Sequence, residues 1–400
     1  MTNAATSSNP TSLSGIDIDD FYALDDLVSD EDRLLRDTVR RFVDDKFLPV
    51  VADHFEAGTF PRELIPQIAQ MGLLGLHLDG YGCAGASATA YGIACRELER
   101  GDSGLRSFVS VQGSLCMFPI WKYGSEEQKH DWLPGMAAGE LIGCFGLTEP
   151  DHGSDPGSMT TRARRDGEDW VLNGAKRWIT NAGIADLAIV WAQTDEGVRG
   201  FVVPTDTKGF DARTIEKKLS LRASVTGEFY LDDVRVPERF RLPEAAGLKG
   251  PLSCLSEARY GIVWGAVGAG LACLTAARDY AIGRPQFDRP IAGFQLTQAK
   301  LAEMLTTMTN ASLQAHRLGQ LKELGRAKPA HVSMAKRFNV RAALDTARTA
   351  RTILGANGIS LEYPVIRHMV NLESVLTYEG TEEIHTLVLG ETATGLAAYR

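Results

Sequence analysis

No lysine or arginine precedes Arg33, although the same stretch carries several aspartates. A secretory signal needs a basic start and an apolar run, and a mitochondrial transit segment needs arginines. Neither pattern is present, so residues 1–25 are expected to be a flexible, solvated tail and the cytoplasm is the expected location. Cysteine is sparse: Cys83, Cys95, Cys116, Cys144, Cys254 and Cys273 are scattered through 400 residues with no CxxC pair. That spacing suggests neither a disulfide framework nor a zinc site, and no metal is expected. Basic excess is also lacking. A net charge of −9 argues against nucleic acid, which must be met by a basic footprint. Long apolar runs are absent but for one, Gly261 to Ala277, which is uncharged and contains Gly261-x-x-x-Gly265. The run is shorter than the ~20 residues a bilayer requires and is bracketed by Arg259 and Arg278. A buried bundle helix whose glycines allow close packing is the expectation, with no membrane span.

What is present is ordinary in bulk and patterned in detail. Hydrophobic residues at 44% and charged residues at 23% are those of a globular chain, long enough for two or three domains. From about Asp26 to Ala138 the periodicity is helical: Leu34, Val39, Phe42, Val43 and Phe47 recur at helix spacing. A helix is expected over Arg62–Leu74 after Pro61, and Ser125-Glu126-Glu127-Gln128 reads as a capping box. Gly101-Asp102-Ser103-Gly104 should break two helices.

Beyond Gly143 the period shortens. Trp170–Leu172, Leu187–Ala192, Gly200–Val203 and Gly227–Leu231 read as strands, with turns at Asp166-Gly167, Asn173-Gly174 and Lys208-Gly209. Residues 143–245 are therefore expected to form a β-barrel-like middle domain. Residues 246–400 return to long amphipathic stretches near 253–283, 294–324 and 329–355, suited to a four-helix bundle. The expected class is α+β, mostly helical, with the middle β domain between an N-terminal helical domain (26–142) and a C-terminal bundle.

Gly80-Tyr81-Gly82-Cys83-Ala84-Gly85 matches GxGxxG, but a dinucleotide fingerprint also needs a βαβ unit. The helical surroundings favour a glycine loop.

Other strings occur together. They are Phe145-Gly146-Leu147-Thr148-Glu149-Pro150-Asp151-His152-Gly153-Ser154; Lys176-Arg177-Trp178-Ile179-Thr180-Asn181; Arg222-Ala223-Ser224; Arg284-Pro285-Gln286-Phe287 with Gln295; Leu354-Gly355-Ala356-Asn357-Gly358; and Tyr378-Glu379-Gly380-Thr381. Singly, each reads as a turn, a core aromatic or an exposed carboxylate. Together, in this order, they resemble the acyl-CoA dehydrogenase family over nearly the whole chain after residue 26, departing from it at Ala356, Pro285 and His152. The resemblance implies that Phe145, Leu147, Thr148, Gly153, Ser154, Trp178, Ile179, Thr180, Thr381 and Glu383 line an FAD site. It also implies that Arg284, Phe287, Gln295, Leu354, Gly355 and Gly358 meet FAD across a subunit interface, in a homotetramer built as a dimer of dimers.

The implied chemistry is coherent. A carbon alpha to a thioester is a weak acid, so its proton needs a positioned carboxylate and the developing enolate needs donors. The resemblance assigns the carboxylate to Glu379 and an oxyanion donor to its N–H. On the substrate side, Glu99, Arg106, Ser107, Ser110, Arg259, Tyr378, Gly380 and Ser154 most resemble the members that oxidise glutaryl-CoA. Arg106 would grip the distal carboxylate, as a guanidinium can with two parallel hydrogen bonds. Spacing alone does not settle whether Glu99 pairs with Arg106, because the Gly101–Gly104 break intervenes. Oxidative decarboxylation to crotonyl-CoA and CO2 would follow, with electrons passing to an electron-transferring flavoprotein. Open alternatives are a short-chain acyl-CoA dehydrogenase, a non-decarboxylating glutaryl-CoA dehydrogenase, an acyl-CoA oxidase and a non-catalytic flavin-fold protein that binds CoA esters.

Overall fold

The computed structural model describes residues 15–398. Its N-terminal part is helical: α1 (Asp30–Phe42), α2 (Leu48–Ala57), α3 (Ile65–Gln70), α4 (Ala88–Gly101), α5 (Ser103–Ser110), α6 (Phe118–Tyr123) and α7 (Glu126–Ala137). The expected helix over 62–74 is cut short. Pro66 removes an N–H and clashes with a preceding turn, so only a 3₁₀ turn (Arg62–Leu64) leads into α3. The capping box forms at Ser125 and Gln128. GxGxxG forms a tight hairpin, β1 (Asp79–Gly80) against β2 (Cys83–Ala84), with positive φ at Tyr81 and Gly82; no parallel strand accompanies it. The tail extends less far than expected. Asp20 accepts hydrogen bonds from the Leu24 and Asp25 N–H groups, Leu24 is buried, and Asp19 reaches Thr275. Residues 1–14 lie outside the described part.

The middle domain is one seven-stranded sheet: β3 (Gly143–Gly146), β4 (Arg162–Asp166), β5 (Asp169–Thr180), β6 (Leu187–Thr194), β7 (Gly197–Pro204), β8 (Phe210–Thr214) and β9 (Thr226–Pro237). The order is β3-β6-β4-β5-β9-β8, with β7 on β6; β3 and β6 run parallel. Buried side chains of β5, β7 and β9 seal its own core around Trp170, Leu172, Phe201 and Phe229. Asn173-Gly174 is not a turn. It is a bulge inside the long strand β5, which bends the strand while pairing with β9 continues on both sides.

The C-terminal part holds α8 (Lys249–Gly283), a small hairpin β10 (Pro285–Gln286) and β11 (Arg289–Pro290), then α9 (Gln295–Glu323), α10 (Pro329–Ile353), α11 (Val365–Thr377) and α12 (Glu382–Thr394). Helices α8, α9 and α10 answer to the three expected stretches, while α11 and α12 bring the described helices of this part to five, with α12 packed on α10. By length and composition α8 could cross a membrane, yet 78% of its most apolar window is buried within the protein. Its neighbour there is α4, and glycine explains the closeness. A Cβ at Gly265 would lie 1.9 Å from Glu99 Oε2, and one at Gly268 would lie 1.9 Å from the Arg96 carbonyl oxygen. The small-residue stripe of α8 thus lets the α4 backbone, and the carboxylate of Glu99, come to rest against it.

Candidate active site

The junction between α11 and α12 is four residues: Tyr378-Glu379-Gly380-Thr381. Tyr378 caps α11 in extended conformation, and Thr381 caps α12 by accepting a hydrogen bond from the Ile384 N–H at 3.3 Å. Between them the chain must reverse within two residues, and both take positive φ, 52° at Glu379 and 88° at Gly380. Glycine takes this conformation freely; a glutamate does so only when its surroundings hold it. Those surroundings are cationic. Arg259 Nε donates to the Glu379 carbonyl at 2.7 Å, and Lys336 Nζ donates to the carbonyls of Tyr378 and Gly380 (2.6 Å) and, at 3.4 Å, of Glu379.

Glu379 itself is half-buried, but its Oε2 is enclosed without a hydrogen-bond partner. No cation comes within 4.0 Å of its carboxylate among the described residues. Burial pushes the carboxyl pKa above its usual 4.5, against the opposing pull of Lys336, Arg106 and Arg259. No acceptor takes the Glu379 N–H among the described residues. The arrangement is a carboxylate with raised proton affinity beside a free backbone donor.

Facing it is the break between α4 and α5. Asp102, extended at φ −168°, ends one helix and caps the next through the Gly104 N–H at 2.6 Å. Its other oxygen accepts from Arg367 and from Asn371 Nδ2 (2.8 Å), so α11 and the break are locked together. Across that break Glu99 and Arg106 do pair. Arg106 Nε donates to Glu99 Oε2 at 2.6 Å, Ser103 donates to Glu99 Oε1 at 2.8 Å, and both members are fully buried. Arg106 Nη2 also donates to the Tyr378 hydroxyl, while Nη1 has no acceptor among the described residues. Ser107 Oγ is buried beside the Tyr378 phenol without a satisfied hydrogen bond, whereas Ser110 is occupied by Tyr91. Glu99, Arg106, Ser107, Arg259, Tyr378, Glu379, Gly380 and Thr381 therefore converge.

A second wall comes from the sheet. Phe145 and Leu147 are buried as β3 ends, and Thr148 is half-buried beyond them. In β5, Ile179 is buried and Thr180 is half-buried, but Trp178 is 56% exposed at φ 63°, where a register shift breaks the pairing with β9. A bulge turns this indole outward, where burial in the core would otherwise be expected of it. An exposed aromatic plane beside the Thr148 and Thr180 hydroxyls, neither bonded to another described residue, fits a flavin ring. Gly153 and Ser154 sit on an exposed loop beside this wall.

The loop is anchored by a pair that spacing did not reveal. Glu149 accepts from the Thr160 N–H (2.6 Å), the Thr160 hydroxyl (2.8 Å), the Thr161 N–H (2.9 Å) and buried Lys176 (2.9 Å), which also reaches the Leu147 carbonyl at 3.0 Å. Burial would raise the Glu149 carboxyl; the bonds from Thr161 and Thr160 and the Lys176 ammonium outweigh it and hold it at about 2. A depressed carboxylate stabilises the fold above its unfolded pKa near 4.5, and that contribution is lost as pH falls towards 2. Glu149→Gln leaves a buried ammonium unpaired, which costs about 3–5 kcal/mol. The expected result is a lower Tm and a melting profile flatter between pH 4.5 and 2 than that of the parent protein. An unchanged Tm would show that the pair holds nothing.

The remaining expected residues lie apart. Arg284 and Phe287, 88% exposed, stand on the β10–β11 hairpin, and Gln295 starts α9 nearby, also exposed. Leu354 and Gly358 are buried at the end of α10, with Gly355 exposed between them, and Glu383 faces outward from α12. Among them Glu383 alone reaches the Glu379 cluster within one chain, through a hydrogen bond with the Thr381 side chain.

Comparison with known proteins agrees over most of the chain. Models described as acyl-CoA dehydrogenase N-terminal, middle and C-terminal domains match residues 29–140, 144–234 and 245–394. The mitochondrial short-chain specific acyl-CoA dehydrogenase of Bos taurus is 36% identical over 364 residues, 89% of this chain and 88% of that one. The crystal structure of glutaryl-CoA dehydrogenase from Mycobacterium smegmatis superposes with a TM-score of 0.95 at 59% identity, covering 96% of this chain and 100% of the other. A glutaryl-CoA dehydrogenase from the same organism in complex with FADH2 matches with the same TM-score and coverage at 55% identity. With all three domains matched in order and the sheet presenting a surface that suits a flavin, this chain belongs to the acyl-CoA dehydrogenase family, as an FAD-dependent oxidoreductase.

Proposed function

We propose that this enzyme oxidises glutaryl-CoA and decarboxylates the product to crotonyl-CoA. The observation that carries the reading is Arg106, a buried guanidinium lying under Tyr378 and beside Glu379 with one nitrogen uncommitted. A plain acyl chain has no use for a charge at that depth, and a distal carboxylate does. The 59% identity to a glutaryl-CoA dehydrogenase supports it.

In this reading Glu379 takes the alpha proton, and its N–H supports the thioester oxygen as negative charge develops. Trp178, Thr148 and Thr180 would hold the flavin ring, with Phe145, Leu147 and Ile179 behind it, and the bound cofactor would supply the acceptor for the beta hydride. Arg106 and Ser107 hold the distal carboxylate ionised and in register, while Glu99 fixes the guanidinium. Loss of CO2 from the unsaturated thioester leaves its electron pair in a dienolate, and protonated Glu379 returns the proton to give crotonyl-CoA. Electrons then leave to an electron-transferring flavoprotein. The exposed hairpin carrying Arg284 and Phe287, with Gln295, supports assembly as a homotetramer in which these residues complete a neighbouring FAD site.

Purified protein is expected to carry non-covalent FAD, to bleach on anaerobic addition of glutaryl-CoA and to release CO2, with crotonyl-CoA identified by mass spectrometry. Glutaconyl-CoA without CO2 would remove the decarboxylation. Bleaching by butyryl-CoA alone would return the substrate to a short unbranched acyl group. Rapid reoxidation by oxygen would make the enzyme an oxidase.

A further inference from the structure

Lys336 is 1% exposed, in the first third of α10, and stands on that helix's apolar stripe with Val332, Val340, Ala343 and Ala347. No carboxylate lies within 4.0 Å of its ammonium among the described residues. A buried cation without an anion is costly, and a methionine of similar length would fill the space without that cost. Its three donors are aimed at three consecutive carbonyls, those of Tyr378, Glu379 and Gly380, and its ammonium lies 5.7 Å from the Tyr378 ring centroid. Those carbonyls belong to the turn in which Glu379 takes positive φ.

We propose that Lys336 is a positioning residue for proton abstraction: it clamps the 378–380 carbonyls so that Glu379 keeps its left-handed conformation, and its charge favours the ionised carboxylate. The proposal rests on Glu379 being the base. The titratable and charged groups that face it are Arg106 from α5, Arg259 from α8, Tyr378 and Glu379 from the turn, and His385 from α12. Burial pushes Lys336 down to about 7, with Glu379 pulling it up and Arg259 and Arg106 pushing it further down. His385 is kept neutral, lowered to about 3 chiefly by burial, so it adds no competing charge near neutral pH.

The two parts of the role separate in two variants of the FAD-loaded enzyme. Lys336→Met removes clamp and charge; Lys336→Gln removes the charge and keeps two amide donors. Lys336→Met is expected to retain FAD and acyl-CoA affinity while its limiting rate of anaerobic flavin reduction falls roughly 10- to 100-fold, the size of effect a displaced reacting group produces. The acid limb of its pH–rate profile should move to higher pH, because the carboxylate loses a nearby cation. Lys336→Gln should recover part of the rate with the limb still displaced. A rate within about twofold of the parent enzyme with an unmoved limb would overturn the proposal. So would equal losses in both variants with an unmoved limb, or loss of fold or FAD in both, since each leaves only a structural role. If Glu379→Gln is inactive while Lys336→Met is normal, the positioning role alone fails; normal reduction in Glu379→Gln would instead sink the base assignment.

Discussion

Glu379→Gln is expected to lower the rate of anaerobic flavin reduction by about 100- to 10,000-fold, the contribution general bases make. The amide is nearly isosteric, and the turn is held through backbone carbonyls by Arg259 and Lys336 and not through the carboxylate. The variant should therefore fold, bind FAD and bind acyl-CoA while failing at proton removal. The parent enzyme should show an acid limb lying above the ordinary carboxylate value of 4.5, because burial raises the Glu379 pKa and only the ionised form accepts the proton. As pH falls through that raised pKa, activity is lost; as it rises, activity is gained until another group intervenes. Stopped-flow reduction across pH in both proteins checks both statements. Near-parental kinetics in the variant would place the base elsewhere.

Arg106→Gln is expected to reduce kcat/KM for glutaryl-CoA by roughly 100- to 5,000-fold, since stranding a desolvated charge costs about 3–5 kcal/mol. Two charges are involved, the substrate's carboxylate and Glu99, which keeps Ser103 as a partner but loses the guanidinium at 2.6 Å. Some loss of stability is thus expected alongside the kinetic effect, and Tm distinguishes the two. Butyryl-CoA, having no distal carboxylate, should be affected far less or even gain. An equal fall for both thioesters would make Arg106 a structural residue whose business is Glu99.

Periodicity alone made most of the architecture legible. The helical first third, the shift to short strands after Gly143 and the long final helices follow from residue spacing, because a 3.6-residue and a two-residue repeat cannot bury the same face. The helix break at Asp102 and the capping box at Ser125 were legible for a local reason: each satisfies backbone donors from within a few residues. The Asn173-Gly174 bulge is not legible because strand pairing depends on neighbours that no short window contains, whereas the late start of α3 has a local cause in Pro66.

The chemistry divides in the same way. Sequence by itself determined which residues stand in the motifs, Glu379 and Arg106 foremost, and the lysine on the apolar stripe of α10 was there to be noticed as an oddity. Only the tertiary structure decided that Glu99 meets Arg106 across a helix break, that Lys176 neutralises Glu149, that Trp178 faces outward, and that Lys336 holds the turn of Glu379. The reason is physical. A cap or a turn is a bargain between groups a few residues apart, whereas a buried charge finds its partner through space, and burial, which shifts its proton affinity, exists only once distant elements have packed.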